Sequence, residues 1–254
     1  MTQRLGAIHR VLHAFGVDMV RHPGTMSTLG RRLGHFRNWE VDLVVDVGAN
    51  SGQFGQALRS MGYRGQMVSI EPLPEAYGAL ERHAARDAGW RALQLALGRS
   101  DSSAPLLVAG NSYSSSLYPI TPVHERAEPE ARAVRQIDVE VRRLSEMADD
   151  LIGPSRRPLL KVDTQGSELD ILDGAGEALD RFVGAQVELS LVPMYAGTPL
   201  MSEVIDWLDA RGFFLCELEP EFSDPGTGRL LQVNGLFANR AMATPGGTPT
   251  TAAG

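Results

Sequence analysis

Apolar positions in this chain follow two rhythms. From Met1 to about Glu40 they recur every three or four residues, at Leu5, Ile8, Leu12 and Phe15, with a break at "RHPGT". That spacing predicts an N-terminal helical cap over residues 1–40. Beyond it, short β-rich runs alternate with helix-period segments, the pattern of a doubly wound sheet with helices on both faces. Strand one is Leu43 to Val47, and the helix after it runs from Gln53 to Met61, stopped by Gly62. Strand two, "QMVSIEP", ends at Glu71 because Pro72 and Pro74 cannot continue a ladder. A helix from Glu75 to about Asp87 follows, then "ALQLALG" as strand three. After a less regular stretch, "PLLKVD" reads as strand four with "GSELDILDGAGEAL" as its helix, and "GAQVELSLV" as strand five before the helix "SEVIDWLDARG". A short loop joins "FFLCELEP" to "RLLQVNGLFANR", which allows only an antiparallel pair. The expected fold is α/β, a seven-stranded doubly wound sheet with an antiparallel last strand, over residues 41–240. The tail, residues 241–254, has no apolar period and predicts disorder. Asn111 to Gln136 is the longest irregular segment, and long loops in compact domains often bind or cover ligands.

One junction in this pattern carries chemistry. In "VVDVGANSGQFG", Val44 to Gly55, an apolar strand ends on Asp46 and runs through Gly48, Asn50 and Gly52 into a helix. Such a turn presents backbone N–H groups and a helix N-terminus at the carboxyl end of the sheet, where a small anionic or dipolar ligand fits. The plain alternative is a tight βα turn with no ligand. Glu71 favours the ligand, since it closes the next strand where the ribose hydroxyls of a nucleoside would sit, accepts from a cis-diol and repels a 2′-phosphate. NAD and S-adenosylmethionine both meet that description. The spacing is not G-x-G-x-x-G, because Asn50 holds the middle glycine position, and Asp46 is poorly placed beneath a pyrophosphate but suits an ammonium group, directly or through water. S-adenosylmethionine carries an ammonium and NAD does not. A short-chain dehydrogenase would also need Tyr-x-x-x-Lys, and Arg157 stands four places before Lys161.

Composition narrows the partners. The net charge of -7 and the absence of a basic run interleaved with aromatics argue against nucleic acid. No apolar stretch reaches the ~18 residues of a spanning helix, and the N-terminus lacks the pattern of a signal peptide, so a soluble cytoplasmic protein is expected. Cys216 stands alone, which predicts a buried thiol rather than a disulfide or a multi-cysteine metal site. Lys161 is the single lysine among 24 basic residues.

Several blocks together resemble the FkbM family of S-adenosylmethionine-dependent methyltransferases: "VVDVGANSGQFG", "SIEPLPEAY", "LALGRSD", "SSSL", "LLKVDTQGSELDILDGA", "VELSLVPMYAGTP" and "LLQVNGLFANR", in that order between Val44 and Arg240. The resemblance implies that Asp46, Gly48, Asn50 and Gly52 line the methionine and ribose part of the cofactor, that Glu71 takes the ribose diol, and that the turn from Leu97 to Asp101 edges the adenine. It implies O-methylation of a sugar, glycolipid or polyketide-type hydroxyl. Two departures stand out: Ser145 occupies a usually acidic position, and Asn234 replaces a frequent Asp.

Methyl transfer to a hydroxyl needs a base or a metal to take the proton. Asp163, closing strand four, is the candidate base or metal ligand, with Lys161 as its electrostatic partner or a substrate contact. Gln165 and Glu168 follow in the turn. Glu188, on strand five, can complete a carboxylate pair with Asp163, as acid and base or holding Mg²⁺. Plainer roles for these residues are helix capping and a buried ion pair. Tyr113, Ser115, His124 and Tyr195 are candidate substrate contacts. Two other readings remain open: N-methylation or a non-sugar acceptor, and a catalytically idle nucleoside-binding scaffold.

Overall fold

The computed structural model describes residues 28–242, and the chain divides into two compact units, residues 1–38 and 39–254. Helix α1, Thr28–Asn38, belongs to the first unit. Residues 1–27 of the expected cap and residues 243–254 of the expected tail lie outside the described range.

The second unit is built on seven strands: β1 (Leu43–Val47), β2 (Gln66–Ile70), β3 (Trp90–Leu93), β7 (Pro158–Val162), β8 (Gly184–Ser190), β9 (Phe213–Ser223) and β10 (Leu230–Asn239). They lie in the order β3-β2-β1-β7-β8-β10-β9. β10 runs antiparallel to both neighbours, whereas the other pairings are parallel. Every residue of β1 and β7 is buried, as expected of central strands covered on both faces, which therefore read as near-continuous apolar runs. Helices α2 (Gln53–Ser60), α3 (Pro74–Ala84), α6 (Glu168–Ala175) and α7 (Met201–Asp209) follow β1, β2, β7 and β8. Val45, Val47, Ile70, Leu160, Val162 and Leu189 from the sheet share one core cluster with Leu172 of α6 and Leu208 of α7. Strand order reverses between β1 and β7, and ligands of open α/β sheets bind at the carboxyl ends beside such a reversal.

Three expectations need correction. "ALQLALG" is not one strand: β3 ends at Leu93, whose carbonyl accepts from the Glu71 amide at 3.1 Å, and Ala96–Gly98 forms β4 of a separate sheet. That second sheet, ordered β4-β6-β5, also replaces much of the supposedly irregular stretch. β5 (Ser102–Ala109) and β6 (Ala133–Arg143) form a long antiparallel pair, and β6 leads into α5 (Leu144–Ile152). Pro105 is tolerated because β5 is an edge strand. The segment Asn111 to Gln136 holds helix α4 (Pro122–Ala127), a 3₁₀ turn and the start of β6. Cys216 on edge strand β9 is half-buried rather than buried.

Candidate active site

Register places the first cluster. Asp46 on β1 stands beside Ser69 on β2 and Lys161 on β7, so the three side chains meet on one face. Lys161 Nζ lies 3.1 Å from Asp46 Oδ1 and 3.4 Å from Asp163 Oδ2. Ser69 Oγ donates to Asp46 Oδ2 at 3.3 Å and accepts from Trp90 Nε1 at 3.0 Å. Burial alone would lower the Lys161 pKa, but Asp46 and Asp163 outweigh it and hold the ammonium well above the usual lysine value. A lysine kept charged in this way is an electrostatic centre and no proton acceptor at neutral pH.

Above this cluster the chain turns sharply. Gly48 has φ 75° and Gly52 φ 87°, left-handed conformations that glycine enters without cost. A Cβ at Gly48 would sit 1.8 Å from the Asp163 carbonyl oxygen, and one at Gly55 would sit 2.4 Å from the Trp90 ring. Thus the turn lies directly on the end of β7, and α2 lies on the indole that supports Ser69. The amides of the turn are spent internally. Those of Gly48 and Ala49 donate to the Ile70 carbonyl, that of Asn50 to Glu71 Oε2, that of Ser51 to Asn50 Oδ1 and that of Gly52 to the Ala49 carbonyl. The expected cradle of free N–H groups for an anion is therefore absent from residues 48–52, because three of these amides are taken by Ile70 and Glu71 at the end of β2 and two by the turn itself.

What faces the turn is acidic. Glu71 directly follows β2, and its other oxygen accepts from the Leu73 amide at 2.8 Å. Burial raises its pKa to about 7 against the lowering pull of these two backbone bonds. Asp46 and Lys161 side chains are 2% and 6% exposed, whereas that of Asp163 is 26% exposed. Asp46, expected to hold the ammonium of a ligand, is instead closed off against Lys161 and Ser69, and Asp163 is the most exposed of the three charged groups. Gln165 Nε2 donates to Asp163 Oδ1 at 3.2 Å and to the Glu188 oxygens at 3.2 and 3.0 Å. Burial, then Asp163, Glu168 and Glu221, push the Glu188 pKa well above the carboxylate range. Asn234, paired with Glu188 across the β8–β10 ladder, donates to Glu221 Oε2 at 2.6 Å. A neutral amide here adds no further negative charge to a crowded acidic floor. Glu168 accepts from the Thr164 and Gly166 amides and so shapes the turn after β7.

The remaining candidates divide. Tyr195 is fully buried and donates to Gln165 Oε1 at 2.6 Å, with Ser114 O at 3.4 Å. His124 is buried on α4, edge-on to Tyr195 at 5.1 Å between ring centroids. Burial lowers its pKa. Ser115 Oγ accepts from the Ala109 amide, which holds the loop after β5, and Tyr113 is 63% exposed. Leu97 packs in the main core, and the Asp101 carboxylate holds the Arg143 amide and Arg142 Nε at 2.6 and 3.1 Å. Sequence reasoning did not single out Ser69, Trp90 or the bridging role of Gln165. A cavity of about 460 Å³ lies elsewhere, lined by the first residues of β1, β2 and β3 and the end of α5, at the opposite end of the strands.

The donor set decides which groups fit. Glu71 just beyond β2 and the satisfied amides of residues 48–52 suit a ligand that offers a diol more than one that offers a pyrophosphate to this turn. S-adenosylmethionine meets that requirement. Mg²⁺ does not fit between Asp163 and Glu188 as they stand, because the Gln165 amide donates into that space, and the described residues contain no cluster of three or more ligating side chains.

The chain matches the family model described as the methyltransferase FkbM domain over residues 46–215. Methyltransferase sdnD of Sordaria araneosa is 31% identical over 160 residues, 53% of this chain and 60% of that protein, so the match spans under two thirds of that relative. Methyltransferase 1 of Beauveria bassiana (strain ARSEF 2860) is 25% identical over 193 residues, 72% of this chain and 76% of the relative. Among solved structures, an rRNA methylase from Streptococcus thermophilus shares 12% identity at a TM-score of 0.43, covering 87% of this chain and 98% of that one. No helix among the described residues is long and apolar enough to cross a membrane. The family match runs from Asp46 through β7, β8 and the turn between Asp163 and Glu168, and the chain belongs to the FkbM methyltransferase family.

Proposed function

We propose that the protein is an S-adenosylmethionine-dependent O-methyltransferase acting on a hydroxyl of a sugar, glycolipid or polyketide-type metabolite. The observation that carries the reading is the acidic, amide-poor turn between Glu71 and Asp163, with Asp163 as its open carboxylate. The cofactor supplies a methyl group on a sulfonium, transferred in line to the acceptor oxygen. Glu71 accepts hydrogen bonds from the ribose diol, and the Gly48–Gly52 turn covers the methionine part. Asp46 acts from beneath the turn through Lys161. Asp163 takes the proton of the acceptor hydroxyl, and the Lys161 ammonium 3.4 Å away stabilises its charge. Leu97 and Asp101 border the adenine side through the fold of the β4–β5 turn, and the segment carrying Tyr113 and Ser115 offers acceptor contacts, with His124 and Tyr195 supporting it from within. The net charge of -7 gives no general pull on phosphate backbones, which supports a small-molecule acceptor.

Asp163→Asn is the test. Transfer of labelled methyl from the cofactor to a panel of hydroxylated sugars, glycolipids and polyketides is expected to fall about a hundredfold, while S-adenosylhomocysteine binding by calorimetry stays within about threefold of the parent. Undiminished transfer would remove Asp163 from the reaction. A second expectation concerns pH. Ionised Glu71 accepts from a diol more strongly than the protonated acid, and with its pKa at about 7 cofactor affinity rises by up to about tenfold from pH 6 to pH 8. Calorimetry across that range should show the rise in the parent and a flat profile in Glu71→Gln. Because a raised carboxyl pKa favours the protonated folded state, Glu71 also lowers folding stability as pH climbs from about 4.5 through 7.

A further inference from the structure

Gln165 is the residue through which the acceptor-side groups touch. Its backbone is left-handed at φ 59°, a region that non-glycine residues seldom enter and hold only where their surroundings fix them. Here the fixing contacts are explicit. The Gln165 carbonyl accepts from Ser116 Oγ at 2.5 Å, and its side-chain oxygen accepts from Tyr195 Oη at 2.6 Å. Ser116 and Tyr195 are 1% and 0% exposed, so both grips belong to packed structure. The amide orientation follows from its partners, since the Asp163 carboxylate accepts and the Tyr195 phenol donates. Burial and the nearby carboxylates raise the Tyr195 pKa, which keeps the phenol a donor.

Asp163 is held differently. Its carboxyl is partly open, with Oδ2 beside Lys161 Nζ and Oδ1 accepting from Gln165 Nε2. One anchor would leave the carboxyl plane free to rotate, and two define it. Proper aim matters because a misplaced general base loses most of its effect.

We propose that Gln165 is a positioning residue: gripped by Tyr195 and Ser116, it fixes the plane of the Asp163 carboxyl against Lys161 and thereby aims that carboxylate at the acceptor hydroxyl. The inference rests on the reading of Asp163 as the acceptor-side base. It assigns Tyr195 a role inside the wall of the site, behind Gln165, in place of direct contact with the acceptor.

The single lysine makes the proposal measurable without an acceptor. In the 254-residue protein labelled with ¹⁵N-lysine, the one side-chain ammonium resonance belongs to Lys161, 3.4 Å from Asp163. Gln165→Met, close in size but without the amide, should shift that resonance and speed exchange of its ammonium hydrogens about tenfold. Tyr195→Phe should shift it in the same direction by less, and it decides the question alone if the first variant does not fold. With an acceptor, Gln165→Met should lower kcat about tenfold and leave the cofactor KM unchanged. A Lys161 resonance at the parent position in the folded variants would overturn the proposal and leave Gln165 a prop for the turn, even where the melting temperature falls. Failure of the parent to bind S-adenosylhomocysteine would instead strike at the cofactor reading, whatever the resonance does.

Discussion

Gly48→Ala is expected to cost about 3 kcal/mol or more of folding stability and to abolish cofactor binding. The added Cβ would fall 1.8 Å from the Asp163 carbonyl oxygen, and that neighbour is backbone, with no flexible side chain to swing aside. The Asp163 amide donates to the Val47 carbonyl at 3.1 Å, so the ends of β1 and β7 are tied at the point where the methyl group would push them apart. Alanine would also have to hold φ near 75°, which costs about 1 kcal/mol more for an L-residue. Relief requires the turn to lift away from β7, separating Asp46 from Lys161 and moving Asn50 off Glu71. Urea unfolding checks the first part and calorimetry with S-adenosylhomocysteine the second. A variant with unchanged midpoint and affinity would show that the turn does not press on β7.

Lys161→Met should be as damaging for a different reason. Asp46 is 1% exposed and depends on the Lys161 ammonium for its opposite charge. Removing one partner of a buried pair leaves an uncompensated charge, typically a loss of about 3–5 kcal/mol. The aliphatic stem is preserved in methionine, so the loss reports charge more than packing. Replacing both partners, Lys161→Met with Asp46→Leu, should recover much of the stability while leaving cofactor binding impaired. The pH dependence follows from the sign of the shift: a lysine held above its usual pKa contributes fully below about pH 10 and loses that contribution only as pH rises through the raised value. Stability of the parent therefore holds across neutral pH, and the difference between parent and Lys161→Met narrows only at strongly alkaline pH. Denaturant melts of the three proteins at pH 7 and pH 10 should show the same difference between parent and Lys161→Met at both values.

The parts of the site carried by buried central strands were legible in the sequence. Asp46 and Lys161 stand out because they interrupt apolar runs, but that they pair with each other, where Asp46 was expected to meet a ligand and Lys161 to meet Asp163, follows only from the register of β1 and β7. Positive-φ glycines and prolines marked the ends of β1 and β2 for equally local reasons. The second sheet was harder. β6, "AVRQIDVEVRR", hides its apolar alternation at Ile137, Val139 and Val141 among charged residues because most of its other face is exposed. β4 was read into strand three because nothing local marks the chain's move from one sheet to the other at Gln94. Gln165 carried no sign of a bridging role, since its contacts arise from a left-handed turn and from Tyr195 and Ser116, which are distant in sequence. His124 illustrates the reverse: a titratable residue in an apparent loop turned out to pack inward on α4, where α4 meets Tyr195 and Phe222.

A turn whose amides at residues 48–52 are satisfied, flanked by Glu71, is expected to take a nucleoside through its ribose diol and no dinucleotide. Calorimetric titration of the protein with S-adenosylmethionine and, separately, with NAD tests it most directly, repeated with Glu71→Ala. Saturable binding of S-adenosylmethionine, weakened at least about tenfold in the variant, and no binding of NAD are expected. Saturable binding of NAD with none of S-adenosylmethionine would contradict it.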